Sequence, residues 1–127
     1  MNDAPYELAA ILATGDPAEL YSGLSVLVST AVDGHRCAAL ASFDALELLI
    51  TETDPVGGAD AAGRGDRFAR SLTELRNTAF ELDSLTIWAC AASVDTMEVE
   101  PGPRMAGVMS TPRFLRETAG ARRFIHV

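Results

Sequence analysis

The chain of 127 residues contains no lysine at all; its positive charge is ten arginines against 18 acids, a net charge of −8. A duplex-binding protein needs clustered cations against phosphates, and this balance excludes that role and disfavours an anionic membrane surface. Aromatic residues are scarce at 6%. Long apolar runs are missing too. The longest candidate, Leu24 to Val32, is interrupted by Ser25, Ser29 and Thr30 and is too short to span a bilayer. The first residues, Met1-Asn2-Asp3-Ala4-Pro5, lack the basic start and apolar stretch of a signal peptide, so a cytoplasmic protein without membrane insertion is expected. Only two cysteines occur, Cys37 and Cys90, and in that compartment they read as thiols and not as a structural disulfide.

Several ligand signatures are also missing. No Cys/His spacing resembles a zinc site. Thr14-Gly15-Asp16 lacks the glycines and lysine of a P-loop, and no GxGxxG occurs, so neither metal nor nucleotide cofactor is expected.

What is present is a 48% hydrophobic chain of one-domain length, residues 1–127, arranged as alternating strand and helix signals. Tyr6–Ala13 is a compact apolar run ending at Thr14-Gly15-Asp16-Pro17, which reads as a buried strand followed by a turn. Asp16 as cap, Pro17 at the first position and Glu19 in a capping-box-like place start a helix with Leu20, Leu24, Leu27, Val28 and Ala31 on one face. Asp33-Gly34 stops it. Arg36–Ser42 reads as a second strand and Phe43–Ile50 as a short helix. Residues 51–65 hold Gly57, Gly58, Gly63, Gly65 and Pro55 and read as a flexible loop.

From Arg67 to Leu82, Phe68, Leu72, Leu75, Ala79 and Leu82 recur at helical period. Leu85–Ala89 is a third strand, Ala91–Met97 a short helix, Ala106–Met109 a fourth strand, Thr111–Thr118 a helix and Arg122–Val127 a last strand. This alternation predicts an α/β/α sandwich around a mostly parallel five-stranded sheet, flavodoxin-like, with Leu8, Ile11, Leu40, Leu85 and Ile87 in the core. Right-handed crossovers narrow the topologies but leave strand order open.

Ligands of open parallel sheets bind outside the carboxyl ends of the strands. Three turns are expected there: Thr14-Gly15-Asp16, Ser42-Phe43-Asp44 and Ala89-Cys90-Ala91. Gly15, Asp16, Phe43 and Ser93 are therefore candidate ligand-binding residues, with Ser93 adding a hydroxyl. Cys90, between a strand end and a helix start, meets unpaired N–H groups that favour the reactive thiolate. Cysteine is also a common buried hydrophobe, and for Cys90 the residues alone leave both readings open. Cys37, inside a strand, reads as inert packing. His35 and His126 read as surface or packing residues, Arg64, Arg67 and Arg70 as a solvated helix face, and Trp88 as core or subunit contact.

Leu85-Thr86-Ile87-Trp88-Ala89-Cys90-Ala91-Ala92-Ser93-Val94-Asp95-Thr96-Met97 resembles the cysteine strand of the DsrE/DsrF-like proteins. The opening block ILATGDPAELYSGLSVLVSTAVDGHRCAALASFDALELL and the closing block GVMSTPRFLRETAGARRFIHV are similar to that family's first unit and tail. The resemblance implies a sulfur-relay protein whose Cys90 carries persulfide sulfur between thiols. It also implies separate donor and acceptor proteins and a homo-oligomer, trimer or hexamer. One departure stands out: where the branch it resembles most has a glycine after the methionine matching Met97, this chain has Glu98. Two other uses of the same cysteine remain open, a non-catalytic binding or assembly subunit and a thiol-based oxidant sensor.

Overall fold

The structure, a computed structural model, describes residues 5–51 and 64–127, with the backbone alone over 64–70. The glycine-rich segment read as a flexible loop falls almost wholly outside the described residues. The chain is an α/β protein, and its described residues form five strands, all parallel, and five helices: β1 (Leu8–Leu12), α1 (Pro17–Val32), β2 (Cys37–Ala41), α2 (Phe43–Ile50), α3 (Arg64–Glu81), β3 (Leu85–Cys90), α4 (Ala91–Met97), β4 (Val108–Met109), α5 (Thr111–Glu117) and β5 (Arg123–His126).

The strand order is β4-β3-β2-β1-β5. From β1 to β4 the chain steps one strand at a time in the same direction; from β4 it returns across the whole sheet to β5. Right-handed crossovers then place α1 to α4 on one face and α5 on the other. The packing follows this rule. Leu20, Leu24 and Leu27 of α1, Leu46 and Leu49 of α2 and Leu72 of α3 are buried against Leu8, Leu12, Cys37 and Ile87, with Val94 of α4 packed alongside. The opposite face is covered by α5, whose Phe114 is fully buried among Tyr6, Ala9, Ala38, Leu40, Cys90 and Met109.

Local signals explain the element starts. Asp16 accepts a hydrogen bond from the Ala18 N–H at 3.0 Å, and Pro17 opens α1 where no N–H is needed. The expected capping box closes differently: Glu19 accepts from the Thr14 hydroxyl at 3.0 Å, and Thr14 Oγ1 accepts from the Asp16 N–H at 3.1 Å. In α5, Ser110 caps by accepting from the Arg113 N–H, with Pro112 in the first turn.

The core expectation holds for Leu8, Leu40, Leu85 and Ile87, which are buried. Ile11 is half-buried, because it points to the thinly covered face. Arg76 was not foreseen in the interior: it lies 1% exposed under α2, its Nη1 donating to the Leu48 carbonyl at 2.8 Å. No helix among the described residues is long and apolar enough to cross a membrane.

Candidate functional site

Register brings the strand ends together. Leu12 pairs with Ala41, Ala41 with Ala89, and Cys90 with Met109, so the turns after β1, β2, β3 and β4 share the carboxyl edge of the sheet. Along this edge the outgoing helices part company. After β3 the chain turns to the α1–α4 face; after the neighbouring β4 it turns to the α5 face. A crevice where adjacent strands send their connections to opposite faces is where open α/β sheets bind ligands. Cys90 ends β3 and Thr111 opens α5, so the pair lies at this switch point, with Sγ and Oγ1 3.8 Å apart.

Cys90 is the N-cap residue of α4, and Ser93 is the third residue of that helix. Ser93 is fully buried, and its oxygen accepts from the Phe43 N–H at 2.9 Å, which ties the turn after β2 to the helix after β3. Phe43 holds φ at 47°, a left-handed backbone that bulky side chains rarely adopt. Its ring is left 48% exposed. Gly15 completes the edge: a Cβ on it would lie 2.9 Å from the Asp44 Cβ and 2.8 Å from Oδ2, so any side chain would collide with the turn that carries Phe43.

The expected residues thus divide. Phe43, Ser93 and Cys90 form one cluster, Gly15 abuts it through Asp44, and Asp16 serves as the exposed cap of α1. Thr111 belongs to the cluster and was missed by sequence reasoning, since only the β3–β4 pairing brings it to Cys90. Its sole signal was the Ser110-Thr111-Pro112 helix start.

The two thiols titrate in opposite directions. Burial pushes Cys37 up to about 11, helped by the nearby Glu7 carboxylate and opposed by the Leu8 N–H. At Cys90 burial also pushes upward and is the largest single influence, but four hydrogen-bonding groups together outweigh it: the Ser93 hydroxyl, the Ser93 N–H, the Thr111 hydroxyl and the Ala92 N–H. Neither N–H closes a full capping hydrogen bond to the sulfur, yet both help bring its pKa below the ordinary thiol value.

No protein-family model and no curated protein matches this chain.

Chemically, the cluster stabilises a thiolate. It keeps that thiolate under cover as well: Cys90 is 3% exposed, beneath Phe114 and Met109. The other candidates lie elsewhere. His35 sits at the opposite edge of the sheet, its Nδ1 3.9 Å from Glu7, and His126 is exposed on β5. The Arg64, Arg67 and Arg70 side chains lie outside the described residues. Trp88 is half-buried on the α5 face. Among the described residues no three His, Cys, Asp or Glu side chains converge as a metal set.

Proposed function

We propose that this protein is a sulfur-relay protein of the DsrE/DsrF-like kind, carrying persulfide sulfur on Cys90 and passing it between protein thiols. The observation that carries this reading is the position of Cys90 at the switch point between β3 and β4, with hydrogen-bond donors that favour its thiolate. The thiolate attacks the outer sulfur of a donor persulfide, the donor S–S bond breaks, and the donor leaves as a thiolate. An acceptor thiolate then attacks the outer sulfur of the Cys90 persulfide and releases Cys90 as the thiolate it began as. Two thiols exchange one sulfur atom, and no external oxidant or reductant is consumed.

Two features agree with a carrier. Cys37 starts β2 while Cys90 ends the adjacent β3, five residues apart in register, or roughly 16 Å at ~3.3 Å per residue. No second thiol is therefore placed to resolve a disulfide. The one departure from the family pattern, Glu98, occupies a left-handed backbone (φ 53°, ψ 46°), where glycine is the ordinary residue. The donor and acceptor are separate proteins in the cytoplasm, and the assembly is a homo-oligomer, trimer or hexamer. Its contact surface is the thinly covered face, where Leu115 and Phe124 are 45% and 46% exposed and Trp88, on the other side of β1 and β2 from Phe124, is half-buried.

The burial of Cys90 favours a second reading, a binding or assembly subunit that uses the same edge without chemistry. Mass spectrometry after incubation with polysulfide separates the two. The wild-type protein should gain about 32 mass units at Cys90, removable by mild reduction and transferable to an acceptor thiol. Cys90→Ser should gain nothing, and Cys37→Ser should load as wild type. A wild-type protein that never loads, or that loads equally at both cysteines, overturns the relay. A monomer by light scattering at micromolar concentration overturns the assembly.

A further inference from the structure

We propose that the cleft between the carboxyl end of α2, the second half of α3 and the loop before β4 binds a small monocarboxylate with an apolar body, and that Arg104 receives its carboxylate. The cleft has a volume of about 390 Å³, at the small end of the range for small-molecule pockets. It is separate from the thiol: none of its lining residues packs in the cluster around Cys90, and Leu49, Ile50 and Phe80 belong to the core on the opposite face of the sheet.

Charge singles this cleft out. Its lining holds two arginines, Arg76 and Arg104, and no acid, in a chain whose net charge is −8. The acids next to it in sequence, Glu74, Glu81 and Glu100, are exposed and stay out of the lining. Arg76 is the buried cation, held in place as its Nη1 donates to the Leu48 carbonyl at 2.8 Å. Arg104 is the exposed one, and two neighbours orient it. Its Cζ lies 4.6 Å from the centroid of the Phe80 ring, and its Nη1 donates to Asn77 Oδ1 at 2.9 Å. A guanidinium carries five N–H donors in a planar fork, and a pair of them matches the two oxygens of a carboxylate. The contact with Arg104 also sets the polarity of Asn77: its Oδ1 accepts, and its NH₂ remains a donor toward an anion.

The rest of the wall is apolar. Leu49 and Ile50 come from α2 and Phe80 from α3, while Pro101 and Pro103 come from the loop. The two prolines flank Gly102, whose φ of 81° makes the turn; each proline fixes its own φ, so the loop needs little ordering when a ligand arrives. The arginines repel a cation, and the apolar wall gives nothing to an inorganic anion. The acidity of the whole molecule opposes a second negative charge, which favours a monocarboxylate over a phosphate dianion.

This inference goes beyond the relay reading, and its test involves no sulfur. Phenylacetate and isovalerate are titrated into isotope-labelled protein while backbone amide shifts are followed by NMR. Saturable shifts should cluster at Asn77, Phe80, Gly102 and Arg104, and Cys90→Ser should bind as wild type does. Arg104→Ala should weaken binding about tenfold or more, the loss expected for a charge-assisted contact. Phenylacetamide, which keeps the body and lacks the charge, should give no saturable shift. The proposal is overturned by the absence of saturable shifts with both carboxylates, by undiminished binding to folded Arg104→Ala, or by phenylacetamide binding as well as phenylacetate. Inorganic phosphate binding more tightly than either carboxylate overturns it too. Where Arg104→Ala fails to fold, Arg104→Lys decides: it keeps the charge and loses the paired donors, so binding must weaken, and unchanged affinity overturns the assignment.

Discussion

Cys37 and Cys90 are the same residue at opposite ends of adjacent strands, 0% and 3% exposed, and they titrate in opposite directions. Burial opposes the thiolate at both. The difference lies in what each end of a parallel sheet offers a sulfur. At the amino edge Cys37 donates its S–H to the His35 carbonyl at 3.5 Å and lies near the Glu7 carboxylate, both of which favour the protonated form. At the carboxyl edge a new helix begins, and Cys90 meets N–H groups and two hydroxyls, which favour the thiolate. Burial alone is therefore a poor guide to which cysteine is inert.

The harshest way to break this comparison is Phe114→Ala. Phe114 is the fully buried side chain of α5 and packs in the cluster that covers Cys90, not the one that holds Cys37. Its loss should destabilise the fold by about 3–5 kcal/mol in urea denaturation. In the folded fraction, alkylation at Cys90 should speed up while Cys37 stays protected; a parallel rise at both sites would mean the two faces do not open separately.

A milder test compares the thiols in the intact protein. At pH 8 a thiol at about 11 is almost wholly protonated, so Cys90 should alkylate faster than Cys37 by roughly 100-fold. Equal rates by peptide mapping would erase the contrast.

The pH dependence of stability should also differ in sign. Between the unfolded thiol value and about 11, unfolded Cys37 has lost its proton and folded Cys37 retains it, so the unfolded state binds fewer protons and stability falls as pH rises. The loss approaches on the order of 2 kcal/mol by pH 11, and Cys37→Ala should lack that part of the decline in urea midpoints. Cys90 works the other way. Its contribution is complete above the unfolded thiol value and is lost as pH falls through its lowered folded value, so Cys90→Ser should remove it. The smallest effect is expected at Glu98→Gly, which relieves the left-handed end of α4 and should stabilise by about 0.5–1 kcal/mol without moving the Cys90 midpoint.

Much of the architecture was legible in the residues. α2 and α4 begin and end where their patterns do, and the Asp16-Pro17 signal marks the start of α1, because caps, proline and helical periodicity act within a few residues. All strands but β3, which runs one residue past Ala89 to Cys90, are shorter than their expected runs: β1 occupies Leu8–Leu12 of Tyr6–Ala13 and β4 only Val108–Met109 of Ala106–Met109. Hydrophobicity reports burial, while a strand also needs a partner in register. Arg76 escaped notice because a charged residue on a helix stripe reads as solvent-facing; its burial depends on the Leu48 carbonyl from another helix.

The sequence by itself determined that this is a parallel α/β domain, that three turns meet at one edge, and that Cys90 is the thiol at that edge. These follow from apolar runs, turn chemistry and chain order, which are local or nearly so. Only the tertiary structure decided the strand order, which α5 alone returns across, and hence that the switch in connection falls between β3 and β4. It also decided that Thr111 faces Cys90, that Ser93 accepts from the Phe43 N–H, and that the Cys90 sulfur lies beneath Phe114. Those contacts join residues 21 and 50 positions apart in sequence, and no periodicity encodes them. They arise when non-neighbouring segments pack, which depends on the energy of the whole fold and not on the propensity of any one segment.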